Sequence, residues 1–593
     1  MCGIAGYITK NQVDENVLIK MRDALSHRGP DDAGIFINEY KKVGLAHRRL
    51  SILDLSEAGH QPMSSEDKSI WIVYNGEIYN FQKIKNELKS LGYNFKSNTD
   101  TEIIIYAYKE YGIDCLEKFN GMFAFVIYDS NKNQLFFARD RFGIKPFHYG
   151  FLTNGDFVFA SELKAITKHP AFKKEFDFGA LGDYFKYRYI PSPRTIWKDI
   201  KKLPHGHYGI LKLDGFDLKI EKHYDLADKV IGQPSTSLEE VESLMQDAVK
   251  KRLISDVEVG TFLSGGIDSS SITYFANKEH ERIKSFSIGF VPEKYSELSD
   301  SKFVAEFLGT NHITKVIDNV EDDIGEQLSY FYDEPHADSS NIPTYLLSKM
   351  TSAHVKVALS GDGGDEIFSG YRWYRQYLLD TKIEKIKSLF GSKQAIKQDF
   401  EKYYNSLLLN RFDDDKFKKF FASDIYQKVQ DSNVNIFEKY LDKDFKDVRQ
   451  VQFVDFNTFM IDDILTKVDR ASMAHSLEVR VPFLDHRLVE AVLRLPEKEY
   501  PQDSYNKPIL KKLMQDKLPK QVLSKRKKGF SAPVTKWPFY KKSNQIILEG
   551  KAVQDGIIKK DFISDLIANK HKNRSGMIWM TYVFEKWYQK WMV

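Results

Sequence analysis

The sequence predicts a two-domain protein: stacked sheets with flanking helices, then a parallel α/β sheet that passes into a helical C-terminal part. Three observations predict it. At 593 residues the chain exceeds what one core holds. Up to about residue 215 it is written in short apolar, β-branched and aromatic runs broken by Gly, Asn and Asp. From residue 237 onward, strand-like and helix-like runs alternate, as in a parallel sheet.

In chain order, "KKVGLAHRRLSIL", "SIWIVYNGEIYNF", "GMFAFVIYDSNKNQLFFARD" and "GDFVFASE" read as strands, with one helix, "FQKIKNELKSLGY", closed by a glycine. Residues 2–215 form the first domain. Residues 216–236 are read as a linker, on the Gly, Pro, Ser and Thr cluster of "LADKVIGQPST". In the second domain, 237–593, Ser237 and Glu240 form a capping box. Behind it Leu238, Val241, Leu244, Met245, Ala248 and Val249 share a helix face. Two strand-loop-helix units follow, "VEVGTFLSGGIDSSSITYFA" and "VKVALSGDGGDEIFSGY", with "IKSFSIGF" and "HITKVI" between them as buried strands. From about residue 375 the text is helical, charged and aromatic. It ends in a stripe of Trp579, Val583, Trp587 and Trp591 that predicts a docked core face.

A net charge of +4, from 87 basic and 83 acidic residues, argues against a dedicated nucleic-acid binder. Two cysteines argue against a disulfide framework and for a reducing setting. No apolar run approaches the roughly 20 residues of a membrane span, and the first residues lack a signal-peptide pattern. A cytoplasmic protein without membrane partners is expected.

"SGGIDSS" follows a strand and opens a helix. Its glycines expose backbone N–H groups, the helix start adds positive potential and the serines add donors, which together make a phosphate cradle. "SGDGGDE" follows a second strand, so both loops belong at the carboxyl edge of the sheet. Asp268 and Asp365 are candidates to hold Mg²⁺ against phosphate oxygens, the alternative being helix N-capping. The G-x-x-x-x-G-K-[ST] pattern of γ-phosphoryl transfer is absent.

At the other end, removal of Met1 would leave Cys2 as the N-terminus, with a nucleophile and a basic amine on one residue. Attack on a carboxamide also needs an oxyanion site and a clamp. Asn75 and Gly76 in "YNGEIYN" are candidate oxyanion donors, or else a hairpin turn. Arg49 is a candidate for a substrate carboxylate, or a surface cation. Asp100 suits an amino group, or a helix N-cap.

These segments resemble the glutamine-hydrolysing asparagine synthetases. "MCGIAGY", "HRGPDD", "HRRLSI", "YNGEIYN", "TDTE", "GMFAFVIYD", "RDRFGIKPFHYG" and "ASELKAI" match the class II glutamine amidotransferase half, an N-terminal-nucleophile hydrolase. "LSGGIDSS", "SFSIGF", "DEPHADSS", "LSGDGGDE" and "LEVRVPFLD" match the synthetase half, an ATP-pyrophosphatase-type domain. The resemblance implies Cys2 as glutaminase nucleophile, with Asn75 and Gly76 on the oxyanion and Arg49, Glu77 and Asp100 on glutamine. It implies ATP on Leu263, Ser264, Gly265, Gly266, Asp268, Ser269, Ser287, Ile288, Ser360 and Gly361, and Mg²⁺ on Asp268 and Asp365. Lys527, counted back from Phe530 and next to Lys528, aligns with a lysine near the reacting centre.

The substrates so implied are glutamine, ATP and aspartate, the products asparagine, AMP and pyrophosphate, with a sheltered ammonia route; a homodimer is a candidate assembly. Asp362-Gly363-Gly364 stands where better-known members have Glu-Gly-Ser, and "KKGFS" where they have "KEQFS". Both departures bear on the acceptor. Amidation of another carboxylate, such as a sugar acid, is the first alternative. Ring closure of the β-lactam synthetase kind is disfavoured by Cys2, and a silent glutamine or nucleotide sensor by the set Cys2, Asn75, Asp268 and Asp365.

Overall fold

The computed structural model describes residues 2–293, 296–388, 400, 403–404, 412, 414–441, 443, 445, 447–500, 506–525, 529–530, 532–571 and 574–593. Lys527 and Lys528 lie outside the described residues. Among the described residues no helix is long and apolar enough to cross a membrane.

The N-terminal part contains β1 (Gly3–Ile8), β2 (Asp32–Ile37), β3 (Val43–Arg49), β4 (Met63–Ser64), β5 (Ile70–Ile78), β6 (Gly121–Asp129), β7 (Gln134–Arg139), β8 (His148–Phe151), β9 (Phe157–Ala160), β10 (Ile200–Lys202), β11 (His207–Lys212) and β12 (Asp217–Lys222). They form two antiparallel sheets, ordered β10-β8-β9-β1-β3-β2 and β12-β11-β7-β6-β5-β4. Ile4, Leu45, Val73, Val126, Phe137 and Phe159 pack between the sheets. Leu18 and Met21 of the helix Glu15–Asp23 cover the outer face of the first. Ile84, Leu88, Ile104 and Tyr108, from the helices Phe81–Ser90 and Asp100–Tyr111, cover the second. Each central strand is thus buried on both faces, which explains the near-continuous apolar runs. β12 lies within the stretch read as linker and pairs along its length with β11. Its residues are exposed or half-buried, so no apolar face marked it.

The second part is built on a parallel sheet of β13 (Val259–Phe262), β14 (Lys284–Phe290), β15 (Asn311–Ile317), β16 (Val357–Leu359) and β17 (Glu478–Arg480), ordered β15-β14-β13-β16-β17. The strand order reverses between β13 and β16, so the loops after them open side by side. Two strand readings change. "HITKVI" is the edge strand β15, with Lys315 and Val316 exposed, and not a buried one. "LEVRV", within the stretch read as helical, supplies β17 beside β16. Ser237 caps the helix Leu238–Arg252 by accepting from the Glu240 N–H, 3.2 Å. The C-terminal helix Arg574–Trp591 docks as expected: Trp579, Trp587 and Trp591 are buried. Their indole N–H groups reach the carbonyls of Ala337, Asp333 and Ser329 at 2.9–3.1 Å.

Candidate functional site

Cys2 precedes β1 and is half-buried. Its backbone nitrogen donates to Asn75 Oδ1, 3.0 Å. With the amide oxygen so used, Asn75 Nδ2 is a buried donor with no partner among the described residues. Asn75 and Gly76 lie inside β5, opposite Ala124 and Phe123, and form no hairpin turn. On the edge of β5 facing away from β6, the Tyr74 N–H goes to Gln61 Oε1 and the Ile78 N–H to Asp100 Oδ2, both 2.8 Å. By the two-residue alternation of an antiparallel pair, the Gly76 N–H lies between them on that edge. Asn75 Nδ2 and Gly76 N–H are therefore adjoining donors beside a thiol. Burial pushes that thiol up, so it keeps its proton at neutral pH and needs a base to act.

Asp100 is not a cap; Thr99 caps the helix by accepting from the Glu102 N–H. The Asp100 carboxylate accepts from the Tyr74 hydroxyl, 2.8 Å, and burial pushes it up to about 6. Arg49 is buried rather than on the surface. Its guanidinium holds the carbonyls of Leu53, Asp54 and Ser56, and so shapes the loop that follows β3. Glu77 lies 3.3 Å from the Arg480 guanidinium, and burial pushes its carboxyl well above the usual range. Arg480 also holds Glu478 at 2.6 Å and the carbonyls of Arg252 and Ile254. Burial opposes the charge on Glu478, but nearby cations hold it down, to about 2. The second domain thus lends two charged groups to the first domain's site through β17. Their motif was noted in the sequence; their direction was not.

The second site is a cavity of about 340 Å³ at the carboxyl edge of the parallel sheet. Leu263, Ser264, Gly266, Asp268, Ser269, Ser287, Ile288, Ser360, Gly361 and Asp365 all line it, and Gly265 lies in the same turn. Gly265 has φ +75°, and a Cβ there would come within 2.6 Å of the Asp300 backbone. The helix Ile267–Glu279 starts at Gly266 with no side-chain cap, leaving its first N–H groups for an anion. Ser264 and Ser269 bind each other, Oγ to Oγ 3.0 Å. Asp268 and Asp365 lie just inside helix starts whose N-caps are Gly266 and Gly363, so neither carboxylate is a cap. The sequence reading missed Lys467 and Lys507, which also line the cavity. Lys467 Nζ is 3.0 Å from both Asp338 Oδ2 and Ser340 Oγ. Lys507 Nζ contacts Asp268 and lies 2.8 Å from Asp365 Oδ1. In a lysine-rich chain no local signal separates these two from surface lysines.

Buried ion pairs join the two sites. Arg28 Nε donates to the Cys2 carbonyl, 3.0 Å, and its Nη atoms reach Asp469 at 2.8 and 3.0 Å. Asp469 belongs to the helix Thr466–Met473, whose Lys467 and Val468 line the cavity. A void of about 20 Å³ lies along the same interface, walled by Arg139, Ile144, Lys202, Asp462, Leu465 and Asp469 among others.

A family model described as "Asparagine synthase" matches residues 240–589, and one described as "Glutamine amidotransferase domain" matches residues 1–224. Asparagine synthetase [glutamine-hydrolyzing] 1 of Bacillus subtilis is 36% identical over 99% of this chain and 96% of its own length. Asparagine synthetase [glutamine-hydrolyzing] 3 of the same organism is 33% identical over 91% of this chain and 88% of its own. Amidase chry2 of Gibberella zeae is 27% identical over 97% and 96%. Among solved structures, the B. subtilis glutamine phosphoribosylpyrophosphate amidotransferase complexed with ADP and GMP is 16% identical over 53% of this chain and 65% of its own. Its TM-score of 0.29 is too low to bear on this chain.

Proposed function

We propose, from the premise that this chain belongs to the asparagine synthase family and carries a glutamine amidotransferase domain, that it amidates the side-chain carboxylate of aspartate with ammonia cut from glutamine. With Met1 removed, the Cys2 amine takes the thiol proton and Sγ attacks the glutamine carboxamide. Asn75 Nδ2 and the Gly76 N–H receive the developing oxyanion. Arg49, Glu77 and Asp100 hold the amino-acid group of glutamine, Asp100 on its ammonium and Arg49 on its carboxylate. Ammonia leaves, and water releases glutamate from the thioester. Because ammonia is mostly protonated in neutral water, it crosses by the sheltered domain interface.

In the cavity, Ser264, Gly265, Gly266 and Ser269 seat the phosphates of ATP, with Leu263, Ser287, Ile288, Ser360 and Gly361 around the nucleotide. The acceptor carboxylate attacks the α-phosphorus, pyrophosphate leaves, and ammonia displaces AMP. Lys527 is assigned to phosphate near that centre. Asp268 and Asp365 fit Mg²⁺, since both already reach one cation, Lys507 Nζ. Among the described residues no cluster of three or more such ligands exists, so phosphate oxygens would complete the shell. Bound there, the ion would supply neutralising charge for the leaving pyrophosphate.

The observation that carries the reading is the unpartnered Asn75 Nδ2 beside Cys2, in one molecule with an uncapped helix start flanked by two carboxylates. A second acceptor is favoured by Asp362-Gly363-Gly364, where Asp362 accepts from Ser360 Oγ at 2.6 Å on the cavity wall. The test is mass-spectrometric product identification with glutamine, ATP, Mg²⁺ and a panel of carboxylates. The expected result is asparagine with equimolar AMP and pyrophosphate, and ¹⁸O moving from acceptor into AMP. An amide formed only on a sugar acid would change the acceptor; ADP with labelled phosphate would overturn adenylation.

A further inference from the structure

Lys507 has no part in the chemistry above, yet three segments are shaped around it. Asn506 and Lys507 are consecutive non-glycine residues with left-handed backbone, φ 87° and 59°. Such strain persists only where the surroundings enforce it. Pro508 then opens the helix Pro508–Met514 and fixes the direction of approach. The Lys507 side chain is only 2% exposed. Its ammonium touches Asp268 Oδ2 and lies 2.8 Å from Asp365 Oδ1. Gly370 makes the room: a Cβ there would stand 2.0 Å from Asp365 Oδ1 and 2.2 Å from Lys507 Cε.

We propose that Lys507 and a divalent cation compete for the same two carboxylates, so that the metal pair opens only when a phosphate draws the ammonium away. This rests on the reading of Asp268 and Asp365 as the metal pair. One ammonium with three donors satisfies two carboxylates well. A divalent ion entering beside it meets a fixed positive charge in a half-buried site, where repulsion is weakly screened. Phosphate oxygens seated on the helix start at Ile267 give Lys507 an alternative anionic partner, and its flexible stem lets Nζ move without the backbone. Nucleotide therefore binds ahead of the metal or together with it. Free cations are turned away.

The test is Mn²⁺ uptake by the full-length protein, read as protein-bound Mn²⁺ in equilibrium dialysis against a protein-free control with the same nucleotide, since ATP and pyrophosphate bind Mn²⁺ themselves. Wild type is expected to leave Mn²⁺ free up to about 1 mM, typical of a weak site, and to bind it once ATP or inorganic pyrophosphate is added. Lys507→Met should bind Mn²⁺ without nucleotide at least roughly tenfold more tightly, because two carboxylates are left without their cation. Adding Asp268→Asn should abolish that gain, and Lys507→Arg should behave as wild type. Circular dichroism checks folding, and Lys507→Gln replaces Lys507→Met if the latter does not fold. Equal nucleotide-dependent uptake by wild type and Lys507→Met would overturn the competition and leave the metal pair standing. No uptake by either, even with ATP, would remove the metal assignment and this inference with it.

Discussion

Asp100 links burial to substrate affinity at a single residue. Burial raises its carboxyl to about 6, against an unfolded value near 3.9. The folded chain thus holds this proton more tightly than the unfolded chain. The stability the group contributes is complete below about 3.9 and is lost as pH rises through about 6. Asp100→Asn should therefore not lower Tm at pH 8. The ionised carboxylate is the form that binds an ammonium, so the KM for glutamine should rise as pH falls below about 6, in steady-state glutaminase assays. Asp100→Asn should raise KM at all pH values and remove that inflection. Asn75→Ala deletes an oxyanion donor and should lower glutaminase kcat by about 10²–10³. Ammonia-dependent synthesis should be unchanged, and equal loss of both activities would contradict the division between the sites. Cys2→Ala should divide the two activities in the same way.

The strand-loop-helix after β13 is the element most open to a local test. Gly265→Ala places a side chain in left-handed backbone and against Asp300. The strain costs about 1–2 kcal/mol, measurable by denaturant. The KM for ATP should rise in pyrophosphate exchange while the glutaminase is untouched. This element was legible in sequence because an apolar run, two glycines and a helix start are local signals. Of the sandwich strands, β3, β5, β6, β7 and β9 were legible for the same reason, and Cys2, Asn75 and Asp268 became candidates through chemistry peculiar to their side chains. β17 was not legible: three residues, Glu478, Val479 and Arg480, become a strand only because β16 lies beside them. β12 carried no buried face to read. Arg49 was read as a substrate clamp or a surface cation; the structure removes the second reading by burying it on backbone carbonyls, which leave no trace in a side-chain pattern. Lys507 depends on the left-handed backbone at Asn506 and at Lys507 itself, far from either carboxylate in sequence, and on the room left at Gly370.

Across the whole molecule, buried charge holds the halves together. Arg28, fully buried, lies between Glu162 at 2.7 Å and Asp469 at 2.8 Å, and Arg470 joins Glu162 at 3.0 Å and Asp333 at 3.3 Å. Removing one partner leaves uncompensated charge, so Arg28→Met should cost about 3–5 kcal/mol. Fluorescence and circular dichroism should report one shared unfolding transition, since each half supplies the other's counter-charges. β17 carries this dependence into synthesis on the ribosome. The chain that contains Cys2 and Glu77 emerges first, and Arg480 follows about 400 residues later, roughly 20–80 s at ribosomal rates. For that interval the nascent glutamine pocket lacks its cation, and β16, once made, keeps a bare edge until β17 follows. A chain ending at Leu477 is accordingly expected to show no glutaminase activity. A growing polypeptide would then release no ammonia before most of the half that consumes it has been translated.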